Sequence, residues 1–118
     1  MNEQRNHLRI PVRWRAVLVR NHEKGETYHG YSQEVSLGGM SIISDHNIFT
    51  EDDVTILLAV PPLLPGKKEK ILEIHGRMIY TVLCSSGHGF RFGIKFLGFK
   101  RNGAKYLREY LEKRVQIL

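Results

Sequence analysis

Residues 12–20 alternate. Val12, Trp14, Ala16 and Leu18 fall on one side, and Arg13, Arg15, Val17 and Val19 on the other. A period of two marks a strand with one buried face. Residues 21–26 are polar and contain Gly25, which predicts a turn. Extended chain resumes over 28–35, breaks at Leu37-Gly38-Gly39, and continues as a short strand over 40–44. Residues 54–60 are rich in Val, Ile and Leu and predict a fourth strand. A loop over 61–70 follows, with Pro61, Pro62, Pro65 and Gly66. Residues 71–83 read as one long strand, with Leu72, Ile74, Met78 and Tyr80 on one face and Glu73, His75 and Arg77 on the other. After a turn over 84–89, Phe90, Phe92, Ile94 and Phe96 alternate with Arg91, Gly93, Lys95 and Leu97.

The last segment changes period. Tyr106, Leu107, Tyr110, Leu111 and Val115 recur at helical spacing, and Asn102 stands where a cap belongs. This predicts a helix over 101–115. The fold class is therefore all-β with a C-terminal helix. Six short strands joined by Gly-rich turns predict a small antiparallel β-barrel, closed or nearly so. Residues 1–118 form a single domain by length, without repeat or linker. Residues 1–9 carry almost no apolar content and predict a flexible N-terminal arm.

Composition changes this picture little, and charge somewhat more. Apolar residues make up 42% and charged residues 25%, as in an ordinary globular protein. The net charge of +6 favours anionic partners without naming one. Cys84 is the only cysteine, which excludes an internal disulfide and suits a reducing, cytoplasmic location. The polar start, Met1-Asn2-Glu3-Gln4-Arg5, predicts no signal peptide. The longest apolar run, residues 54–64, is too short to span a bilayer and is broken by two prolines, so no membrane insertion is expected.

Few residues point to catalysis. The six histidines show no metal-binding spacing, and His75 and His88, possible neighbours across a hairpin, lack a third ligand. Cys84 lacks the strand-to-helix setting of a nucleophile elbow. The expectation is a protein that is not an enzyme and carries no metal or cofactor. The basic run Lys67-Lys68-Glu69-Lys70 lacks the interleaved aromatics of a single-strand binder, so it reads as a solvated loop and no nucleic-acid partner is expected.

Two short patterns carry more. Arg5 and Arg9 stand four apart just before Ile10-Pro11-Val12, and Glu34-Val35-Ser36-Leu37-Gly38-Gly39 spans the break between the second and third strands. An Arg-x-x-x-Arg spacing alone is weak evidence: with ten arginines in the chain, about one match is expected by chance. Its position is more telling. Two planar guanidinium forks followed by a donor-rich turn suit a ligand with purine edges and phosphates. The plain alternative for the turn is that Gly38 and Gly39 supply only backbone freedom and Ser36 only a turn-stabilising hydroxyl.

Together these residues resemble the PilZ domain family, bacterial receptors for cyclic di-GMP. The family pattern is Arg-x-x-x-Arg followed by Asp or Asn-x-Ser-x-x-Gly. Arg5 and Arg9 match the first element, Ser36 and Gly39 the second. Residues 76–80 and 89–96 look like the family's last two strands. Two positions depart from the pattern. Glu34 replaces the Asp or Asn, and Gln4 stands where many members carry a further Arg.

The resemblance implies a six-stranded antiparallel barrel with a C-terminal helix. It implies a cyclic di-GMP site built from Arg5, Arg9, Glu34, Ser36, Gly38, Gly39 and Arg77, the last by family analogy alone. Binding would order the arm, change the surface shown to a separate effector protein, and signal through it. The chain would act as a monomer or homodimer. Two other readings stand beside this one: a degenerate PilZ-like module that works through protein contacts without nucleotide, and a small-barrel nucleic-acid binder.

Overall fold

The computed structural model describes residues 9–21, 25–84 and 87–117. Six strands, β1 (Arg15–Asn21), β2 (Glu26–Val35), β3 (Gly39–Ser44), β4 (Asp53–Val60), β5 (Lys70–Leu83) and β6 (Phe90–Phe99), precede one helix, α1 (Gly103–Ile117). Every pairing is antiparallel, and the sheet closes in the order β1-β2-β3-β6-β5-β4. Closure leaves no open sheet edge, so the strands hold together without a second layer. Among the described residues no helix is long and apolar enough to cross a membrane.

The alternation seen in the sequence fills the barrel. Ala16, Leu18, Ile42, Ile56, Leu58, Leu72, Ile74, Met78, Phe92 and Ile94 are all buried. Truncating any of the large ones to Ala should cost about 2–5 kcal/mol. The helix closes one end with Leu107, Tyr110 and Leu111. Its Tyr110 ring meets Trp14 edge-on at 5.4 Å. Burial pushes the Tyr110 hydroxyl pKa up, against the pull of Arg114.

Three expectations need correction. The first strand begins at Arg15 rather than residue 12, although Val12 and Trp14 are buried as the alternation demands. Residues 12–14 are strapped to β2 by a side chain instead of a full ladder: the Ser32 hydroxyl accepts from the Trp14 N–H at 2.9 Å and donates to the Val12 carbonyl. Tyr80 faces outward, not inward with Met78. The β5–β6 register shifts between Met78 and Tyr80, so Ile79 is the extra residue of a bulge and the alternation inverts beyond it. Tyr80 then lies over Gly93, where a Cβ would sit 2.1 Å from the ring. Finally, His75 pairs with Gly98 across the β5–β6 hairpin rather than with His88.

Candidate ligand site on the barrel wall

The root of the arm is fixed by two backbone hydrogen bonds. Ile10 and Val35 exchange N–H···O contacts of 2.9 Å in both directions. Ile10 is buried, so this bridge is also an apolar anchor. The bridge thereby brings the residues flanking Ile10, Arg9 and Pro11, close to those flanking Val35, Glu34 and Ser36. Arg9 is exposed and has no hydrogen-bond partner among the described residues. Arg5 and the rest of the predicted arm, residues 1–8, lie outside the described residues.

The turn from Ser36 to Gly39 is closed on itself. The Ser36 hydroxyl accepts from the Gly38 and Gly39 N–H groups, each at 3.2 Å, and donates to the Gly39 carbonyl. The Ser36 N–H donates to the same carbonyl at 2.9 Å, and the Gly38 carbonyl accepts from Phe96 N–H. Those Gly N–H groups, expected to be free for an anion, are occupied by a hydroxyl. At 3.2 Å the contacts are long for N–H···O bonds, which lets a better acceptor compete for them. Gly39 is required for close approach rather than for a positive φ. A Cβ there would meet the Ile94 carbonyl oxygen at 2.3 Å.

Glu34 follows a bulge. The β2–β3 register shifts between Ser32 and Glu34, leaving Gln33 as the extra residue. Gln33 and Glu34 are both exposed, whereas strict alternation would turn one of them inward. Glu34 makes no hydrogen bond or ion pair among the described residues. Beside it, a shallow cavity of about 450 Å³ opens between the arm root and the outer face of β2 and β3. Pro11, Arg13, Tyr31, Gln33 and Ile43 line it. The Arg13 guanidinium sits 4.0 Å from the Tyr31 ring centroid, a cation–π contact.

Arg77 shares a row with the turn but is held elsewhere. Gly39 pairs with Lys95, Lys95 with Arg77, and Arg77 with Asp53. Two strand spacings separate Gly39 from Arg77, roughly 10 Å. Arg77 donates from Nε and Nη2 to Asp53 Oδ1 at 3.1 and 3.0 Å, and His75 contacts the other carboxylate oxygen at 2.9 Å. The Arg77 hydrogen bond holds the Asp53 carboxyl pKa below its ordinary value. Lys95, exposed and between the two, is the cation that register sets next to Gly39. It was visible only as one polar position in the β6 alternation. The geometry thus brings Arg9, Glu34, Ser36, Gly38 and Gly39 together, adds Lys95 and the Arg13–Tyr31 pair, and ties Arg77 to a carboxylate.

Residues 3–113 match the family model of the PilZ domain. The chain belongs to the PilZ domain family. The fold is similar to that of the PilZ domain of YcgR from Escherichia coli, described with c-di-GMP, at a TM-score of 0.64 and 14% identity over 96% of this chain and 95% of that one. It is similar to the Bacillus subtilis inhibitor of motility MotI/DgrA at 0.75 and 12% identity, over 96% of this chain and 51% of that one. It is also similar to apo MrkH of K. pneumonia at 0.64 and 12% identity, over 98% and 52%. This chain therefore spans about half the length of MotI/DgrA and of MrkH. No curated protein matches it. The closed six-stranded barrel with one C-terminal helix is the PilZ fold that the sequence pattern predicted.

Proposed function

We propose that this PilZ domain is a cyclic di-GMP receptor that signals to a separate effector protein and performs no chemistry of its own. One observation supports the reading: the Ile10–Val35 bridge ties the residue after Arg9 to the residue before Ser36, so the two halves of the split pattern are neighbours in the fold. Arg9 and Arg5 would reach over the ligand. A guanidinium grips phosphate, takes the O6/N7 edge of guanine bidentately, or stacks on its face. The Gly38 and Gly39 N–H groups would exchange the Ser36 hydroxyl for a ligand oxygen. Glu34 would accept from guanine N–H groups. Part of the binding energy is spent on fixing the arm, and that change of surface is the signal. Such a receptor works in the cytoplasm.

Calorimetric titration with cyclic di-GMP, with linear GMP as control, tests the assignment. Saturable heat with the cyclic dinucleotide alone is expected, together with slower amide exchange over residues 3–11. A second reading is favoured by two contacts. The turn's N–H groups are already bonded to Ser36, and Arg77 is already paired with Asp53. Under that reading the domain is a protein-interaction module, and neither ligand gives heat.

A further inference from the structure

A second concave surface lies between the 61–69 loop and α1. It is a groove of about 540 Å³. Its apolar walls are Leu63, Leu64, Tyr106 and Tyr110. Leu64 is 63% exposed, although Leu63 beside it packs on the core. An isolated exposed leucine needs no explanation, but one that walls a groove with two tyrosine rings does. The rings are held in place: Tyr110 is buried against Trp14, and Tyr106 stacks on Tyr110 at 6.3 Å with Lys70 Nζ 5.3 Å from its own ring.

The rim is basic. Lys67, Lys68 and Lys113 line the groove, and none of them makes an ion pair among the described residues. The acidic residue within the basic run, Glu69, is drawn off by Arg15 at 2.6 Å. Among the described residues, Glu109 is the one carboxylate that lines the groove. A run that reads as a solvated loop in the sequence is thus, in the fold, one wall of an apolar cleft.

The geometry points to this groove as the docking site for an acidic amphipathic segment of a partner protein, with apolar side chains between Leu64 and the tyrosines and carboxylates on Lys67, Lys68 and Lys113. Charge complementarity selects that occupant. A concave cleft walled by two elements accepts inserted side chains, which a flat lipid surface does not supply. The assignment does not depend on nucleotide binding.

The test is selection of a displayed random peptide library of about sixteen residues on the full chain, followed by anisotropy titration of the winning peptides. Enriched peptides should be acidic, with apolar residues at helical spacing. Lys67→Glu combined with Lys68→Glu should weaken them by about tenfold or more, and Leu64→Ser comparably. Both variants alter exposed side chains, so their melting temperatures should match the parent. Peptides without acidic bias, or peptides that bind the variants equally, overturn the assignment. So does lysine-dependent sedimentation with phosphatidylglycerol vesicles in the absence of selected peptides, which identifies a lipid surface instead.

Discussion

The Ser36–Gly39 turn and the arginines around it are built in opposite ways. In the turn, Ser36 is buried and its hydroxyl is shared among three backbone groups. Gly39 is pressed against the Ile94 carbonyl with no room for a side chain. Arg9, beside the Ile10–Val35 bridge, is exposed and unpartnered among the described residues, and Arg77 is exposed but held by Asp53. Folding fixes the turn and ties Arg77 to Asp53, whereas Arg9 is left without a protein partner among the described residues. Substitutions in the turn therefore mix stability with binding. Substitutions of the arginines separate the two.

The largest effect expected is on the floor. Gly39→Val should destabilise the barrel by about 3 kcal/mol, because its Cβ must displace backbone rather than a side-chain tip. Urea unfolding measures it, and an unchanged midpoint would mean that β3 and β6 separate easily there. Next is Ser36→Ala, which strips two N–H groups of their acceptor. It should cost about 1–2 kcal/mol by the same measurement. Binding is read separately: if the N–H groups are what the ligand uses, affinity falls less than stability does.

Glu34 lies on the border between the two regions, exposed but anchored by its bulge. A guanine edge demands hydrogen bonds near 3 Å with good angles, and Glu is one methylene longer than the family's Asp. Glu34→Asp should tighten cyclic di-GMP binding by about 1 kcal/mol, and Glu34→Ala should weaken it. Identical affinities in all three would remove Glu34 from the site.

The smallest effect concerns Arg77. Asp53→Asn frees Arg77 and should tighten binding on the order of threefold at low salt, with less gain at high salt. Because the Asp53 pKa is lowered in the folded state, its stabilising contact with Arg77 is complete above the ordinary value of 3.8. It is lost as pH falls through the lower folded value. Acid unfolding below about pH 4 should therefore be shallower in Asp53→Asn than in the parent. Equal pH dependence would show that the pair contributes nothing.

Much of the barrel is legible in local alternation, because one face of each strand must be apolar. Leu72, Ile74 and Met78 in β5 and Phe92, Ile94 and Phe96 in β6 fall inside as their spacing predicts. Bulges are not legible that way. Nothing local marks Ile79 or Gln33 as an extra residue, so Tyr80 is misplaced and Glu34 is not seen to share a face with Gln33. Pairings between distant residues are equally hidden. Asp53 and Arg77 meet only because β4 and β5 align, and Lys95 stands beside Gly39 only because β3 pairs with β6. The Ser-Gly turn is readable as a motif, but the reason for Gly39 is not: it is a contact with a strand more than fifty residues away. The groove at α1 was divided in the sequence between a basic loop and a helical stripe, and only the fold joins them.

The central claim is that a fixed floor awaits a ligand gripped by free arginine. Calorimetric titration of cyclic di-GMP into the parent and into Arg9→Ala, with urea unfolding of both, tests it most directly. Arg9→Ala should lose about 2–4 kcal/mol of binding while its unfolding midpoint stays put. Unchanged affinity would contradict the account, and a lowered midpoint with affinity intact would make Arg9 a structural residue.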